Sequence, residues 1–422
     1  MTTNEGGKLI RATLLYAGSS ALVSGISVGL LPILTRAFSP EDFALMSLFV
    51  ICVNALSALC GMGLHGAINV RYVDKSISFS DFVSTSIWLT LISACIVGVL
   101  MLFAQTPLVR LTELPPQWLY FALFAALANG VLLIRLAIWQ AQRRAGLFAT
   151  TRVVQALVDL TTTLVFIYVL HLGWQGRGYG VFAAFIAMGG FSLILLWHEG
   201  FLKPRMERDY VKNALGFGVP LLPHLLGSQV MFMSDRLIVT NLLGLETGGV
   251  YMAAAQIGLG LNLVVVSMNR AFSPWLLRSL SRNDQTAERR IVRLSYLYFL
   301  CLIGLGLLMC ALCYFALNLI LPPAYAEAQR IIYPIIFGNV FTGAYFVVTN
   351  YIFYANRTGW LSMITVAVGL TSVVLSYAFI SNWGLAGAGY AFLISQIMLF
   401  CITWWVAQKA HKMPWWTVLT GR

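Results

Sequence analysis

Seven ionisable side chains stand inside long apolar runs of this 422-residue chain: Arg135, Arg152, Asp159, His224, Asp235, Arg236 and Arg270. A charge at the centre of a bilayer-spanning helix costs about 2.5–3.5 kcal/mol, whereas each Leu, Ile, Phe or Val favours insertion by only about 0.3–0.6 kcal/mol. Such residues need water, a partner or a ligand. Guanidinium forks match phosphate oxygens, so Arg135, Arg152, Arg236 and Arg270 are candidates for holding an anionic group along a substrate pathway. Carboxylates and imidazoles change protonation state with their surroundings, which makes Asp159, His224 and Asp235 candidates for ion or proton coupling. The competing use of each is an interhelical ion pair.

Spacing groups these residues. His224, Ser228 and Asp235 recur at intervals of four and seven and share one face of a helix; Arg152, Gln155 and Asp159 share a face of another. Arg236, one position beyond Asp235, points about 100° away on a straight helix and is expected to find its partner on another helix or at the interface. Pro32, Pro220 and Pro223, set among Gly25, Gly29, Gly216, Gly218 and Gly227, are expected to let their helices bend, because proline removes a backbone donor and clashes with the preceding turn.

The elements that position these groups follow from composition. Hydrophobic residues make up 59% of the chain, charged residues 10%, and mean hydropathy is +0.82, so the solvent is a bilayer. Apolar runs of the length a helix needs to cross about 30 Å of hydrocarbon predict twelve spans: 13–37, 43–70, 82–104, 117–141, 147–170, 178–198, 214–242, 248–270, 294–321, 330–354, 359–380 and 385–407. Uninterrupted runs such as Leu297 to Leu321 exclude a transmembrane barrel, whose short strands alternate apolar and polar. The fold class is an all-α membrane protein with its helices in two six-helix bundles. The first bundle is expected over 1–198, a cytoplasmic linker over 199–213 and the second bundle over 214–422.

A parallel internal repeat supports that division. Leu34-Thr35 and Glu41 recur 205 residues later as Val239-Thr240 and Glu246, and Gly178-Tyr-Gly180 recurs at an offset of 209 as Gly387-Ala-Gly389. An even number of spans per half gives both halves the same orientation.

The net charge of +12 reflects the membrane and not a nucleic acid. Most of the 27 Lys and Arg fall in the N-terminus, the even-numbered loops and the C-terminus, which predicts both termini in the cytoplasm. Two clusters, Lys203/Arg205/Arg208/Lys212 and Arg278/Arg282/Arg289/Arg290/Arg293, are expected to meet anionic lipids, the second on an amphipathic helix lying in the interface from Ser281 to Arg293. The first span lacks the cleavage pattern of a signal peptide and is expected to be retained. Seven cysteines fall in apolar runs, with Cys310 and Cys313 unaccompanied by a second pair or a histidine, so neither a metal nor another cofactor is expected. The chain has no phosphate-binding loop of the ATPase type.

With these residues in view, the chain resembles the bacterial polysaccharide-unit (O-antigen and exopolysaccharide) flippases of the multidrug/oligosaccharidyl-lipid/polysaccharide exporter superfamily. The resemblance runs through Gly25 to Arg36 with Ser39-Pro40-Glu41, Gly218-Val-Pro220-Leu-Leu-Pro223-His224, Ser234-Asp235-Arg236, Gly249-Val-Tyr251, Asn269-Arg270-Ala-Phe272-Ser-Pro274, Pro323-Ala-Tyr325 and Gly384-Leu-Ala-Gly387-Ala. It implies two bundles around a central cavity, and transport of undecaprenyl-pyrophosphate-linked oligosaccharide across the inner membrane without enzymatic chemistry. The polysaccharide polymerase machinery is a further partner it implies, beside the anionic lipids expected at the basic clusters. The nearest rival is a multidrug exporter of the same superfamily, in which acidic cavity residues are expected in place of this arginine set.

Overall fold

The computed structural model describes residues 3–72, 74, 78–204, 206–280, 284–355 and 357–415; the side chains of 3–13, 224, 271, 285 and 358 lie outside that description. Helices follow one another throughout: α1 (Thr3–Ala37), α2 (Pro40–Gly61), α3 (Leu64–Arg71), α4 (Phe79–Phe103), α5 (Gln105–Thr112), α6 (Pro116–Ala141), α7 (Ala145–Tyr168), α8 (Trp174–His198), α9 (Arg208–Leu243), α10 (Leu245–Leu280), α11 (Gln285–Ile320), a 3₁₀ turn (Pro323–Ala328), α12 (Gln329–Tyr354) and α13 (Thr358–Ala410).

Among the described residues, eleven helices are long and apolar enough to cross a membrane. The last of them, 359–410, has 52 residues. At 1.5 Å per residue it would run about 78 Å if straight, far beyond a bilayer. Gly384 breaks it with φ 58 and ψ −138, a conformation open essentially only to glycine, so α13 supplies two spans and the total is twelve. Gly173, just before α8, holds nearly the same angles, φ 58 and ψ −144. This pair corrects the register expected for the ends of the two halves. Gly173-x-x-Gly176-x-Gly178 matches Gly384-x-x-Gly387-x-Gly389 at an offset of 211 rather than 209.

Helix ends are set locally. Pro40 opens α2 with Glu41 and Asp42 in its first turn, where carboxylates meet the positive end of the helix dipole. Asp284 caps α11 by accepting the Thr286 N–H at 3.1 Å. Hydroxyls inside the spans bond back to their own helices, as when Ser86 and Thr90 donate to the carbonyls of Phe82 and Ser86, each at 2.9 Å.

Three boundaries differ from expectation. The second span is interrupted: Met62 and Gly63 take φ 45 and φ 67 between α2 and α3. Arg270 does not close its span, because α10 continues to Leu280. The segment expected as a separate interfacial helix is, from Gln285 on, the first turns of α11, since no glycine or proline separates it from the span that follows. Its residues 281–283, including Arg282, and Arg205 of the other basic cluster, lie outside the described residues.

The chain packs as two units, Met1–Leu30 with Glu41–Gln229, and Leu31–Pro40 with Val230–Arg422. In the first unit Leu64, Ala67 and Ile68 of α3 join a core with Phe82, Ile134 and Ile138. In the second, Thr35 donates to the Ile320 carbonyl at 3.1 Å and Tyr325 to that of Phe38 at 3.0 Å, tying the end of α1 to α11 and the 3₁₀ turn.

Candidate functional site

Charges within the spans sort into those that are neutralised and those that are not. Arg135, 2% exposed on α6, donates from Nη1 and Nη2 to the two carboxylate oxygens of Glu199 at 2.6 and 2.5 Å, and its guanidinium lies 4.4 Å from the Trp139 ring centroid. Glu199 is the residue just past α8, and the bidentate fork ties the C-terminal part of α6 to that end. The hydrogen bond from Arg135 holds the Glu199 carboxyl below its usual 4.5; burial opposes this, and the charges of Arg135 and Arg144 reinforce it.

Asp159 on α7 meets Arg177 on α8. Arg177 Nη1 donates to Asp159 Oδ1 at 2.5 Å and to Thr163 Oγ1 at 2.8 Å, closing a three-residue cluster. Asp235 on α9 accepts from the Arg236 N–H at 2.8 Å, from Arg236 Nη1 at 3.0 Å and from the Tyr251 hydroxyl on α10. All three residues are buried. The expectation that Arg236 would look elsewhere for a partner is therefore corrected. The Asp235 carboxylate turns toward the next residue's N–H, while the long arginine stem folds back over the Phe232 ring, 4.2 Å from its centroid, and donates to the Phe232 carbonyl.

Arg152 and Arg270 behave differently. Arg152 Nη1 donates to Gln155 Oε1 at 2.9 Å along the shared face of α7, and no described carboxylate pairs with it. Arg270 is exposed on α10 and has no ion pair or hydrogen bond with a described residue. Of the four arginines singled out within spans, these two are the ones left without a described carboxylate. Pro32 lies inside α1, and Pro220 and Pro223 inside α9. The His224 side chain lies outside the described residues.

Sequence reasoning passed over Glu199 and Arg177 and gave Tyr251 no role, although these are the partners that satisfy the buried charges. It also missed a ladder of amides between α10 and α12. Asn262 bonds Asn339 at 3.3 Å, Asn350 bonds Asn269 at 3.3 Å, and Ser273 bonds Asn350 at 2.6 Å. Counting amides as well as charges inside spans would have found it.

The fold is that of the multidrug/oligosaccharidyl-lipid/polysaccharide exporter superfamily. One solved relative in fold, the inward-facing conformation of a multidrug resistance MATE family transporter, is matched with a TM-score of 0.74 at 16% identity over 93% of this chain and 96% of that one. A superfamily transporter from Pyrococcus furiosus, described as having a binding pocket of reversed polarity, is matched with a TM-score of 0.63 at 16% identity over 94% and 95% of the two chains. The sequence pattern of the polysaccharide biosynthesis protein family matches residues 9–280. The chain belongs to that family and is a multi-pass helical membrane protein. A protein from the Lsg locus of Haemophilus influenzae is 19% identical over 389 residues, covering 91% of this chain and 94% of its own.

Proposed function

We propose that this protein moves undecaprenyl-pyrophosphate-linked oligosaccharide repeat units from the cytoplasmic to the periplasmic leaflet for surface polysaccharide synthesis, by alternating access. The observation that carries this reading is that each unit keeps a guanidinium group within a membrane helix, Arg152 in the first and Arg270 in the second, that no described carboxylate neutralises. A guanidinium group within a membrane helix is costly unless water, a partner or a ligand meets it, and a pyrophosphate is an anion of matching geometry. Family membership supplies the pathway, and the lipid carrier supplies a reason for a membrane-embedded route.

Such a protein works in the inner membrane with both termini in the cytoplasm, makes and breaks no bond, and hands its cargo to the polymerase machinery. Ion or proton coupling through Asp159 or Asp235 would require opening the arginine pairs that hold them. The experiment is to measure the lipid-linked saccharide pool, resolved by leaflet, in cells lacking the protein. Accumulation of complete repeat units on the cytoplasmic face is the expected result. An unchanged pool with altered drug tolerance would overturn the reading in favour of a multidrug exporter.

A further inference from the structure

The first turns of α11 carry three arginines whose angular position is shared with residues of the opposite kind. At about 100° per residue, Arg289, Arg290 and Arg293 fall in one arc of about 100° with Leu297, Leu300, Leu307 and Leu308. Each of these side chains is exposed. Ile291, Ser295 and Leu302 lie on the opposite side and are buried. The face of α11 that meets hydrocarbon therefore continues, without a break in the helix, as a basic face.

Both carboxylates of this stretch are engaged elsewhere. Asp284 caps the helix by accepting the Thr286 N–H at 3.1 Å, and Glu288 lies 4.0 Å from Nε2 of His411. A fourth cation stands at the same level, on α13 of the same unit. Phe299 packs against Trp404 with ring centroids 6.2 Å apart, and with Glu288 against His411 this makes the two helices antiparallel here. Arg293 and Lys409 thus lie about 9 and 7.5 Å beyond the Phe299–Trp404 contact in the same direction. The Lys409 ammonium stands 3.4 Å from the centroid of the Trp405 ring, which is exposed and of the amphipathic kind that settles at head-group depth. Arg289, Arg290, Arg293 and Lys409 have no ion pair or hydrogen bond with a described residue.

We propose that the start of α11 holds an anionic phospholipid of the surrounding bilayer, its phosphate on Arg289, Arg290 and Arg293 and its acyl chains along Leu297 to Leu308. Guanidinium groups donate paired N–H bonds to phosphate oxygens, and the leucine stripe supplies a chain contact that a free phosphate lacks. From Leu297 to Leu308 the helix rises about 16 Å, half of a hydrocarbon core of about 30 Å and so the depth of one leaflet. A helix lying in the interface would turn an apolar face to the lipids; here the face opposite the arginines is buried in protein, and the arginines stand at the end of a lipid-facing stripe. The lipid is a component of the membrane and not the cargo, so the site is independent of the transport reading.

The test uses full-length protein in neutral detergent, titrated with phosphatidylglycerol or with phosphatidylcholine of the same chains and read by native mass spectrometry, with lipid-free thermal midpoints in parallel. Wild type is expected to bind phosphatidylglycerol more tightly. An arginine near anionic lipid contributes about fivefold, so Arg290→Gln with Arg293→Gln should weaken phosphatidylglycerol about 25-fold, with phosphatidylcholine binding and the midpoint unchanged. Arg110→Gln with Arg330→Gln removes the same charge from exposed positions elsewhere and is expected to leave binding at the wild-type level. An equal loss in that control, equal binding of both lipids by wild type, or full affinity in the Arg290/Arg293 variant overturns the site. So does glycerophosphoglycerol, the head group without chains, if it displaces the lipid at equal concentration. Lost binding with a lowered midpoint in both the Gln pair and Arg290→Lys with Arg293→Lys marks a packing role and overturns it too.

Discussion

Arg236 folds back along its own helix and sets Nη1 3.0 Å from Oδ1 of Asp235, its neighbour in the chain. With the Tyr251 hydroxyl on the other carboxylate oxygen, the cluster fastens α9 to α10 through a charge balanced inside the protein. Asp235→Ala leaves Arg236 buried and unpaired, which costs about 3–5 kcal/mol. Tyr251→Phe removes one hydrogen bond to a charged acceptor and costs about 1.5–3 kcal/mol. Thermal midpoints in detergent should rank wild type, Tyr251→Phe and Asp235→Ala in falling order; the reverse order of the two variants would refute a structural role for the carboxylate.

The unpaired arginines make a contrasting prediction. Arg152→Ala and Arg270→Ala are each expected to lower export of lipid-linked saccharide while leaving protein abundance and thermal midpoint near wild type. A lost charge-assisted bond of about 1.5–3 kcal/mol corresponds to roughly ten- to hundredfold in head-group affinity. Normal export in both variants, with abundance checked by immunoblot, removes these residues from the mechanism.

The fork between Arg135 and Glu199 predicts a pH dependence. Because the Glu199 carboxyl in the folded protein lies below its ordinary 4.5, its contribution to stability is complete above that value and is lost as pH falls through the lower, folded-state value. The gap in thermal midpoint between wild type and Glu199→Gln should therefore be full at neutral pH and close on acidification below 4.5. Its size at neutral pH should fall below the ~3 kcal/mol of a fully buried pair, since the Glu199 side chain is 37% exposed and solvent screens it. A gap that stays constant down to acid pH would show that the ion pair is not its source.

Asp159 and Arg177 offer a test of coupling against packing. If the pair only joins α7 to α8, Asp159→Asn with Arg177→Gln should be more stable than the two single losses predict, with an interaction energy of about 0.5–3 kcal/mol in a double-mutant cycle, and should still export saccharide. Abolished export in a well-folded double variant would instead give the carboxylate a part in energy coupling.

Much of the fold is legible in the sequence because crossing a bilayer leaves a coarse record: each span needs about 20 apolar residues whatever its neighbours. The break at Met62-Gly63 is marked only by local signs, Gly61, Gly63 and Gly66 around it and the polar His65 and Asn69 after it, which a count of apolar residues over a whole span averages away. Extension of α11 back to Gln285 was obscured by its charge, which reads as a change of environment although the backbone continues. Buried charges are legible in the sequence; their partners are not. Glu199 lies outside any apolar run, 64 positions from Arg135, and Arg177 sits at the lip of its span among glycines. Spacing on one helix reports which residues share a face, as with Arg152 and Gln155, but carries no information on what a neighbouring helix brings to that face.

The tightness of the turns has a consequence for biogenesis. Only Gly244 separates α9 from α10, and the two spans of α13 meet at Gly384 with no polar stretch between them. Neither connection provides a hydrophilic segment long enough to be pulled across the bilayer while its second helix waits outside. These pairs therefore have to enter the membrane together, as preformed helical hairpins. A nascent chain halted between the two members of a pair would present the insertion machinery with a single unmatched helix, and the natural unit of assembly is two spans at a time.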